Sequence, residues 1–232
     1  MRLPELACLM ALFGCGAASA DPVDLKPFRA TYTIEWKGIT AGNSTFELKH
    51  LAPDTYSYSS VNVARGLFKL AFSDAITQSS TFRIVDGRVI PISFRGSDEK
   101  ERPTDLAFDW QRKRVTGTAK GHAVDLELPE AAQDPMSLQI ASLRGLANAS
   151  MQTNVHLVDS DEVKAYELHL EGNAQIETAL GKLDTVVYTS KNSTGDRITR
   201  TWVAPALGYL PVKAERVRSD KVEFTILIQS MQ

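Results

Sequence analysis

The alternation of apolar and polar residues at period two is the feature that most constrains this chain. In residues 28–36, every second side chain is apolar: Phe28, Ala30, Tyr32, Ile34 and Trp36. The residues between them carry charges or hydroxyl groups. A strand with this pattern has one dry face and one wet face, as in an antiparallel sheet that covers a core on one side.

Turn signals divide most of the chain into similar segments. Asp86-Gly87 separates two strand-like runs and predicts a two-residue hairpin. Pro91 and Pro211 lie inside such runs, which predicts an edge, a bulge or a late strand start at each. Because the alternation recurs to the last residues, residues 21–232 are interpreted as a single antiparallel β domain.

One segment departs from this period. Asp134 can cap a helix, Pro135 suits the first helical turn, and apolar residues then recur at helical spacing. We predict a helix over 135–147 with an apolar face broad enough to pack on a sheet. Residues 66–72 are a shorter helical candidate.

Residues 1–20 are predicted to be a cleavable signal peptide. Arg2 precedes a short apolar run, and Ala18-Ser19-Ala20 fits a signal peptidase site that would leave Asp21 as the first residue. Leu12-Phe13-Gly14-Cys15 resembles a lipobox, although Phe13 stands where a small residue is usual. A periplasmic protein cleaved after Ala20 is favoured, and a lipoprotein anchored through Cys15 is the alternative.

Composition argues against several classes of function. The formal net charge is −2 with interspersed signs, so no basic face for nucleic acid is predicted. Beyond the leader no apolar run reaches membrane-spanning length, so an integral membrane protein is not expected. Both cysteines lie within residues 1–20, which leaves residues 21–232 without thiols for catalysis or metal binding.

No catalytic, metal or cofactor site is predicted. The four histidines are scattered, and none has a second ligand at metal spacing. Gly38-Ile39-Thr40-Ala41-Gly42 has the outline of a nucleophile elbow but lies between two strands, where a tight turn or bulge is the better interpretation. The protein is therefore expected not to be an enzyme, with a hydrolase of unrecognised site as a remote alternative.

The chain resembles the domain of unknown function 3108 family of proteobacterial periplasmic proteins. The residues that carry the resemblance are Pro27–Tyr32, Gly38, Gly42, Phe108–Trp110, Asp134–Leu138 and Leu207–Val212. The resemblance implies an envelope location and no assigned activity. The strand-rich pattern with one helix is also similar to lipoprotein-localisation carriers, which implies an unclosed barrel or β-spiral with the helix on its concave face.

Two classes of function follow from these features. The first is a non-enzymatic binding module of the cell envelope that holds a lipid, an acyl chain or a lipoprotein segment. Its predicted ligand-binding residues are Tyr32, Ile34, Trp36, Phe46, Leu67, Phe68, Phe108 and Trp110. The second is a structural or interaction protein of the envelope, in which the same side chains are only core.

Two observations would separate these classes. If residues 66–72 form a buried plug, a structural role is favoured, whereas an exposed apolar loop would indicate a ligand gate or a partner surface. If the helix at 135–147 fills the concave face completely, the binding hypothesis loses its main support. Trp36 is expected to be a core residue.

Overall fold

The computed structural model describes residues 25–97 and 103–232 of the protein. The predicted leader, Cys15 and the charged run 98–102 lie outside these residues. The strands are β1 (Phe28–Trp36), β2 (Ile39–Ala52), β3 (Thr55–Ala64), β4 (Ile76–Val85), β5 (Arg88–Ser97), β6 (Thr104–Asp109), β7 (Arg114–Ala119), β8 (His122–Glu127), β9 (Asn154–Asp159), β10 (Glu162–Thr178), β11 (Gly181–Asn192), β12 (Arg197–Ala204), β13 (Leu210–Arg218) and β14 (Lys221–Met231). One α-helix, α1 (Ser137–Ala147), and two 3₁₀ helices, Gly66–Leu70 and Pro205–Leu207, complete the described elements.

All of these strands belong to one antiparallel sheet, as the alternation predicts. The sheet order runs from β8 back to β1, then from β14 back to β9, so β1 and β14 pair in the middle. The two edge strands, β8 and β9, are consecutive in the chain and are separated by α1. The prediction of an unclosed, mainly β structure with one inserted helix is confirmed.

The segment before α1 covers the exposed edge of β9. Gln133 pairs with Leu157 in parallel fashion, receiving a hydrogen bond from Val158 N at 2.8 Å and donating to His156 O at 2.9 Å. Its side-chain amide donates to Val89 O on β5 at 3.0 Å. These bonds satisfy backbone groups that an open sheet edge would leave unpaired.

The turn and bulge predictions are confirmed. Asp86 and Gly87 have φ angles of 49° and 76°, which is the paired left-handed geometry of the favoured hairpin turn. Pro91 and Pro211 each lie at a register shift, where the missing N–H costs the ladder nothing. The Gly38–Gly42 segment is a turn followed by a bulge, and a Cβ on Gly42 would overlap the carbonyl oxygen of Val63.

The inward face of β1 is correctly predicted from Phe28 to Ile34, but the expectation for Trp36 is wrong. Tyr32 is 2% exposed, whereas the exposed fraction of Trp36 is 42%. Trp36 is the last residue of its strand and lies next to the turn at Lys37 and Gly38. The alternation places its side chain on the inward face, but at the end of the strand the neighbouring residues cover it only partly.

The predicted capping residue of the helix is correct, but the helix begins two residues later than predicted. Residues 135 and 136 form a turn, and α1 starts at Ser137. The carboxylate of Asp134 accepts hydrogen bonds from the backbone N–H groups of Met136 at 2.8 Å and Ser137 at 2.9 Å. The Ser137 hydroxyl in turn accepts from the Asp134 N–H at 2.9 Å, which completes a reciprocal capping arrangement.

The sheet curls around α1, and the lumen it encloses has two ends. We call the end with the β2–β3 and β4–β5 turns the helix end, because the buried side chains of α1 pack there against an aromatic core. Buried side chains that form this core include Phe28, Tyr56, Tyr58, Phe82, Phe94, Phe108, Met136 and Ile140. The opposite end, with the β1–β2 and β13–β14 turns and the β3–β4 connection, is called the far end.

Candidate functional site

A cavity lies between α1 and the wall of the lumen on the side toward the far end. Its volume is about 340 Å³, and we call it the lumen cavity. Its lining residues are Ser44, Phe46, Ser60, Asn62, Gln78, Leu138, Gln139, Ser142, Leu168, Tyr188, Ser190, Thr199, Thr201, Pro211, Ala214, Glu215, Arg216, Phe224 and Ile226. The helix therefore fills only part of the concave face. The volume lies near the lower limit for small-molecule sites, roughly 300–1,000 Å³.

About half of the residues in this lining carry a hydroxyl or amide group, although most of the surface facing the cavity is apolar. Ser44 is 1% exposed, and its Oγ has no hydrogen-bond partner among the described residues. A buried hydroxyl without a partner costs roughly 1–3 kcal/mol. This unpartnered hydroxyl lies in the wall beside the cavity, and the other hydroxyl and amide groups of the lining can bond to water or to a ligand.

Polar contacts fix the helix against the wall and so define the cavity. Tyr58 Oη donates to Gln139 Oε1 at 3.4 Å, and Ser80 Oγ donates to the buried Asp134 carboxylate at 2.6 Å. Tyr188 is hydrogen-bonded to Thr201 and to Ser142 of α1. Because these contacts come from different strands, the helix cannot move into the cavity without breaking several of them.

Burial keeps the tyrosines of the lumen neutral. Desolvation raises the pKa of Tyr58 and of Tyr188, and it also raises the pKa of Tyr32. Their phenol groups remain hydrogen-bond donors at neutral pH and add no negative charge. The charged side chains in the lining are those of Glu215 and Arg216. The largely buried Glu215 carboxylate pairs with Lys213 at 2.7 Å, and the Arg216 guanidinium lies 5.9 Å from the Phe224 ring centroid.

The predicted ligand-binding residues are divided among several environments. Phe46 lines the lumen cavity and contacts the rings of Tyr32 and Tyr58, with centroid distances of 5.3 and 5.7 Å. Tyr32 donates its hydroxyl to Pro211 O at 2.8 Å and, like Ile34 and Phe108, is buried in the wall or core.

The remaining predicted residues do not line the lumen cavity. Trp110 is half-buried, donates Nε1 to Pro91 O at 2.7 Å and lines a separate cavity of about 270 Å³ beside α1. Trp36, Leu67 and Phe68 belong to the rim of the far end, where Leu67 is 83% exposed and Phe68 is half-buried.

Sequence reasoning missed the polar half of the lining. Ser44 lies on the same inward face of β2 as Phe46 and Leu48. On β3, Ser60 and Asn62 continue the inward face that begins with Tyr56 and Tyr58. The inward residues of both strands therefore change from large and apolar to small and polar toward the far end. This gradient is visible in the sequence once the strand direction is known, and it marks the point where the lumen stops being core.

Neither a metal centre nor a membrane-spanning helix is found in the described parts of the chain. In residues 25–97 and 103–232, no group of three or more His, Cys, Asp or Glu side chains is placed to hold a metal ion. His50 stacks on Tyr56, and His169 lies 3.5 Å from Glu167 on an exposed face. None of the described helices is both long and apolar enough to cross a bilayer.

These features define a class: an unclosed antiparallel barrel wrapped around a single capped helix, with a partly filled lumen. The chain belongs to the DUF3108 family, a protein family of unknown function, whose model matches residues 31–225. The family resemblance is thereby confirmed.

Solved structures of similar fold are known. A β-barrel-like protein of domain of unknown function DUF1849 from Brucella abortus matches with a TM-score of 0.60 and 14% identity, over 89% of this chain and 97% of that one. A protein with a YmcC-like fold from Bacteroides fragilis matches with a TM-score of 0.43 and 8% identity, over 90% and 97%. No curated protein matches the chain significantly.

A domain from Vibrio parahaemolyticus, named for outer-membrane lipoprotein sorting, matches with a TM-score of 0.28 and 8% identity. The match covers 89% of this chain and 84% of that domain. Only the first of these three scores exceeds 0.5, and it indicates a common fold without indicating a common function.

Proposed function

We propose that this protein is a non-enzymatic binding module of the cell envelope, which holds an acyl chain or another amphipathic guest in the lumen cavity. The observation that carries the proposal is the cavity itself, with an unpartnered buried hydroxyl at Ser44 and the rings of Phe46 and Phe224 beside it. Such a lining suits a guest that has both apolar length and hydrogen-bonding groups, as a lipid or the acylated segment of a lipoprotein does.

The volume of the cavity supports an occupied state. The cavity opens to solvent and, at about 340 Å³, is large enough for several water molecules or for part of an acyl chain. The lumen therefore contains water or a guest. Displacing water from the apolar half of the lining would favour the guest.

The envelope location in this proposal rests on the predicted leader at residues 1–20, with anchoring through Cys15 as the alternative. The proposal includes no chemical step. A structural or interaction role is the second candidate, and the observation that favours it is the filled helix end, where aromatic side chains and α1 leave a well-packed core.

Lipid extraction followed by native mass spectrometry of the protein purified from a Gram-negative envelope tests the proposal. We expect a guest to co-purify, and a dansylated fatty acid to bind the extracted protein. Ser44→Leu, which places a larger apolar side chain against the cavity, should weaken that binding about tenfold or more, whereas Ser57→Leu on the outward face of β3 should not. A folded protein that is consistently empty and binds no dansylated fatty acid would contradict the proposal and favour the structural role.

A further inference from the structure

An unusual group of exposed apolar side chains lies at the far end of the molecule. Leu70 is 88% exposed, Leu67 is 83% exposed, Ile39 is 64% exposed and Trp36 is 42% exposed. Together with Lys37, Arg65 and Lys69, they form what we call the apolar–basic patch. Single exposed leucines are common on proteins, but a cluster of this kind marks an interaction surface.

Two neighbouring segments carry the patch. The β1–β2 turn supplies Trp36, Lys37 and Ile39, and the 3₁₀ helix Gly66–Leu70 supplies both leucines and Lys69. The segments are adjacent because β2 pairs with β3 up to Ala64, and Arg65 N donates to Ala41 O at 2.8 Å.

The patch contributes nothing to the core. The 3₁₀ helix has no buried residue, and its backbone is held by turn bonds such as Phe72 N to Phe68 O at 2.9 Å. A loop that presents two leucines to water and buries neither of them does not add to the packed core. Of the two alternatives that the sequence leaves for residues 66–72, the structure therefore supports an exposed apolar loop and not a buried plug.

The charges of the patch favour an anionic partner. Its two segments, 36–40 and 65–72, contain three cations and no carboxylate; Glu35 and Asp74 lie just outside them. Glu223 of the adjacent β14, whose carbonyl accepts from the Lys37 N–H, is paired with Arg197 at 3.7 Å. The Lys37 Nζ atom is 5.7 Å from the Trp36 ring centroid, so a cation lies beside the exposed indole at the β1–β2 turn. Exposed leucine and tryptophan beside lysine and arginine are the combination that binds the interface of an anionic lipid bilayer.

We propose that the apolar–basic patch docks the protein on an anionic phospholipid surface. Leu67 and Leu70 would enter the acyl boundary, while Lys37 and Lys69 contact lipid phosphates. The patch lies at the end of the lumen toward which the lumen cavity extends, because Trp36 pairs with Phe224 and Phe224 lines that cavity. The inference does not depend on what the cavity holds, since an empty protein would present the same surface.

Vesicle co-sedimentation at low salt tests this inference, with the N-terminus of the protein verified by intact mass so that no lipid anchor contributes. We expect binding to vesicles of phosphatidylethanolamine and phosphatidylglycerol, and much weaker binding to vesicles of phosphatidylcholine alone. The Trp36 fluorescence should shift to the blue on binding, and Trp36→Phe should remove most of that shift. Equal binding to both vesicle types, or none to either, would overturn the proposal.

Matched variants separate the patch from general surface hydrophobicity. Leu67→Ser/Leu70→Ser should weaken vesicle binding about tenfold or more, and Lys37→Gln/Lys69→Gln should weaken it about thirtyfold. The control Leu51→Ser/Val85→Ser removes exposed apolar side chains from the opposite end, 57% and 40% exposed, and should change nothing.

The opposite variant results would contradict the proposal. A loss of binding in the control equal to that in the patch variants would show that the patch has no special role. A dimer, detected by analytical ultracentrifugation and abolished by Leu67→Ser/Leu70→Ser, would assign the patch to a second copy of this chain instead of to lipid.

Discussion

At the helix end of the lumen, the inward side chains are rings and branched aliphatics packed on α1, and Phe82 is completely buried between them. At the far end, the same strands turn serine, asparagine and threonine inward around open space, and the rim exposes Trp36 and Leu67. One sheet thus holds a conventional core and a polar-lined cavity along the same strands. The packed core of this protein and its proposed binding cavity therefore lie toward opposite ends of the same sheet.

The largest effect expected from this comparison is at the helix end. Phe82→Ala should lower the free energy of unfolding by roughly 3–5 kcal/mol, because Phe82 is 0% exposed and its ring stacks on Tyr56 with a centroid distance of 5.9 Å. Urea unfolding followed by circular dichroism measures this change. A loss below about 1 kcal/mol would show that the helix end is not the main core.

Removing the helix cap should have the next largest effect. Asp134→Ala deprives two backbone N–H groups and the Ser80 hydroxyl of their acceptor in a buried site. We expect a loss of about 2 kcal/mol in the same unfolding experiment.

Asp134→Asn separates the charge of this cap from its hydrogen bonds. Burial raises the pKa of Asp134, and the hydrogen bonds from Ser80, Ser137 and Met136 oppose that rise. The unfolded carboxyl titrates near pH 3.9, so the contribution of Asp134 to stability falls as the pH rises from there through its folded pKa. Asparagine does not titrate, and the stability of the variant relative to wild type should therefore increase from pH 3 to pH 7. A relative stability that is constant with pH would contradict the raised pKa.

Trp36→Ala should be much milder than a core truncation. With 42% of the side chain exposed, only about 1 kcal/mol is expected. The loss of unfolding free energy in Trp36→Ala, divided by the loss in Phe82→Ala, measures how much less tightly the far end is packed than the helix end. A loss of 3 kcal/mol or more would mean that the far end is packed in solution and that the rim is closed over Trp36.

The smallest effect is expected at the cavity, and it has the opposite sign. Ser44→Leu removes an unpartnered buried hydroxyl and adds methyl groups beside the lumen cavity, which should raise the free energy of unfolding by about 0.5–1 kcal/mol. Thermal and urea unfolding of the extracted protein provide the measurement. If Ser44→Leu is destabilising by more than about 1 kcal/mol, the space beside Ser44 is already filled by protein.

Much of the architecture could be predicted from the sequence because local chemistry determines it. The alternation in β1, the Asp86-Gly87 turn and the Asp134-Pro135 helix start each follow from neighbouring residues. Which strand lies beside which depends on contacts far apart in the chain, so the pairing of β1 with β14 was not foreseen. Trp36 shows the same limit, since periodicity gives the face of a residue but not where the wall around it ends.

The candidate site was only partly predictable for the same reason. Phe46 was selected as an apolar inward residue, and it does line the cavity. The sequence does not predict Ser44, Ser60 and Thr201 as lining residues, because single hydroxyl residues on a strand carry no signal by themselves. Their meaning comes from β2, β3 and β12 converging on one volume, which only the tertiary structure shows.

The pairing of β1 with β14 brings the two termini of the fold together. Arg29 and Gln232 exchange backbone hydrogen bonds of 3.0 and 2.9 Å. A short linker between residues 232 and 25, with a new opening after α1 at residues 148–153, would reorder the strands into one uninterrupted series from β9 to β8. Every strand pair would then be a hairpin between neighbours, with the helix last. Such a circular permutant has a lower contact order and should fold faster, and it converts an inserted helix into a terminal plug that can be removed without cutting the wall.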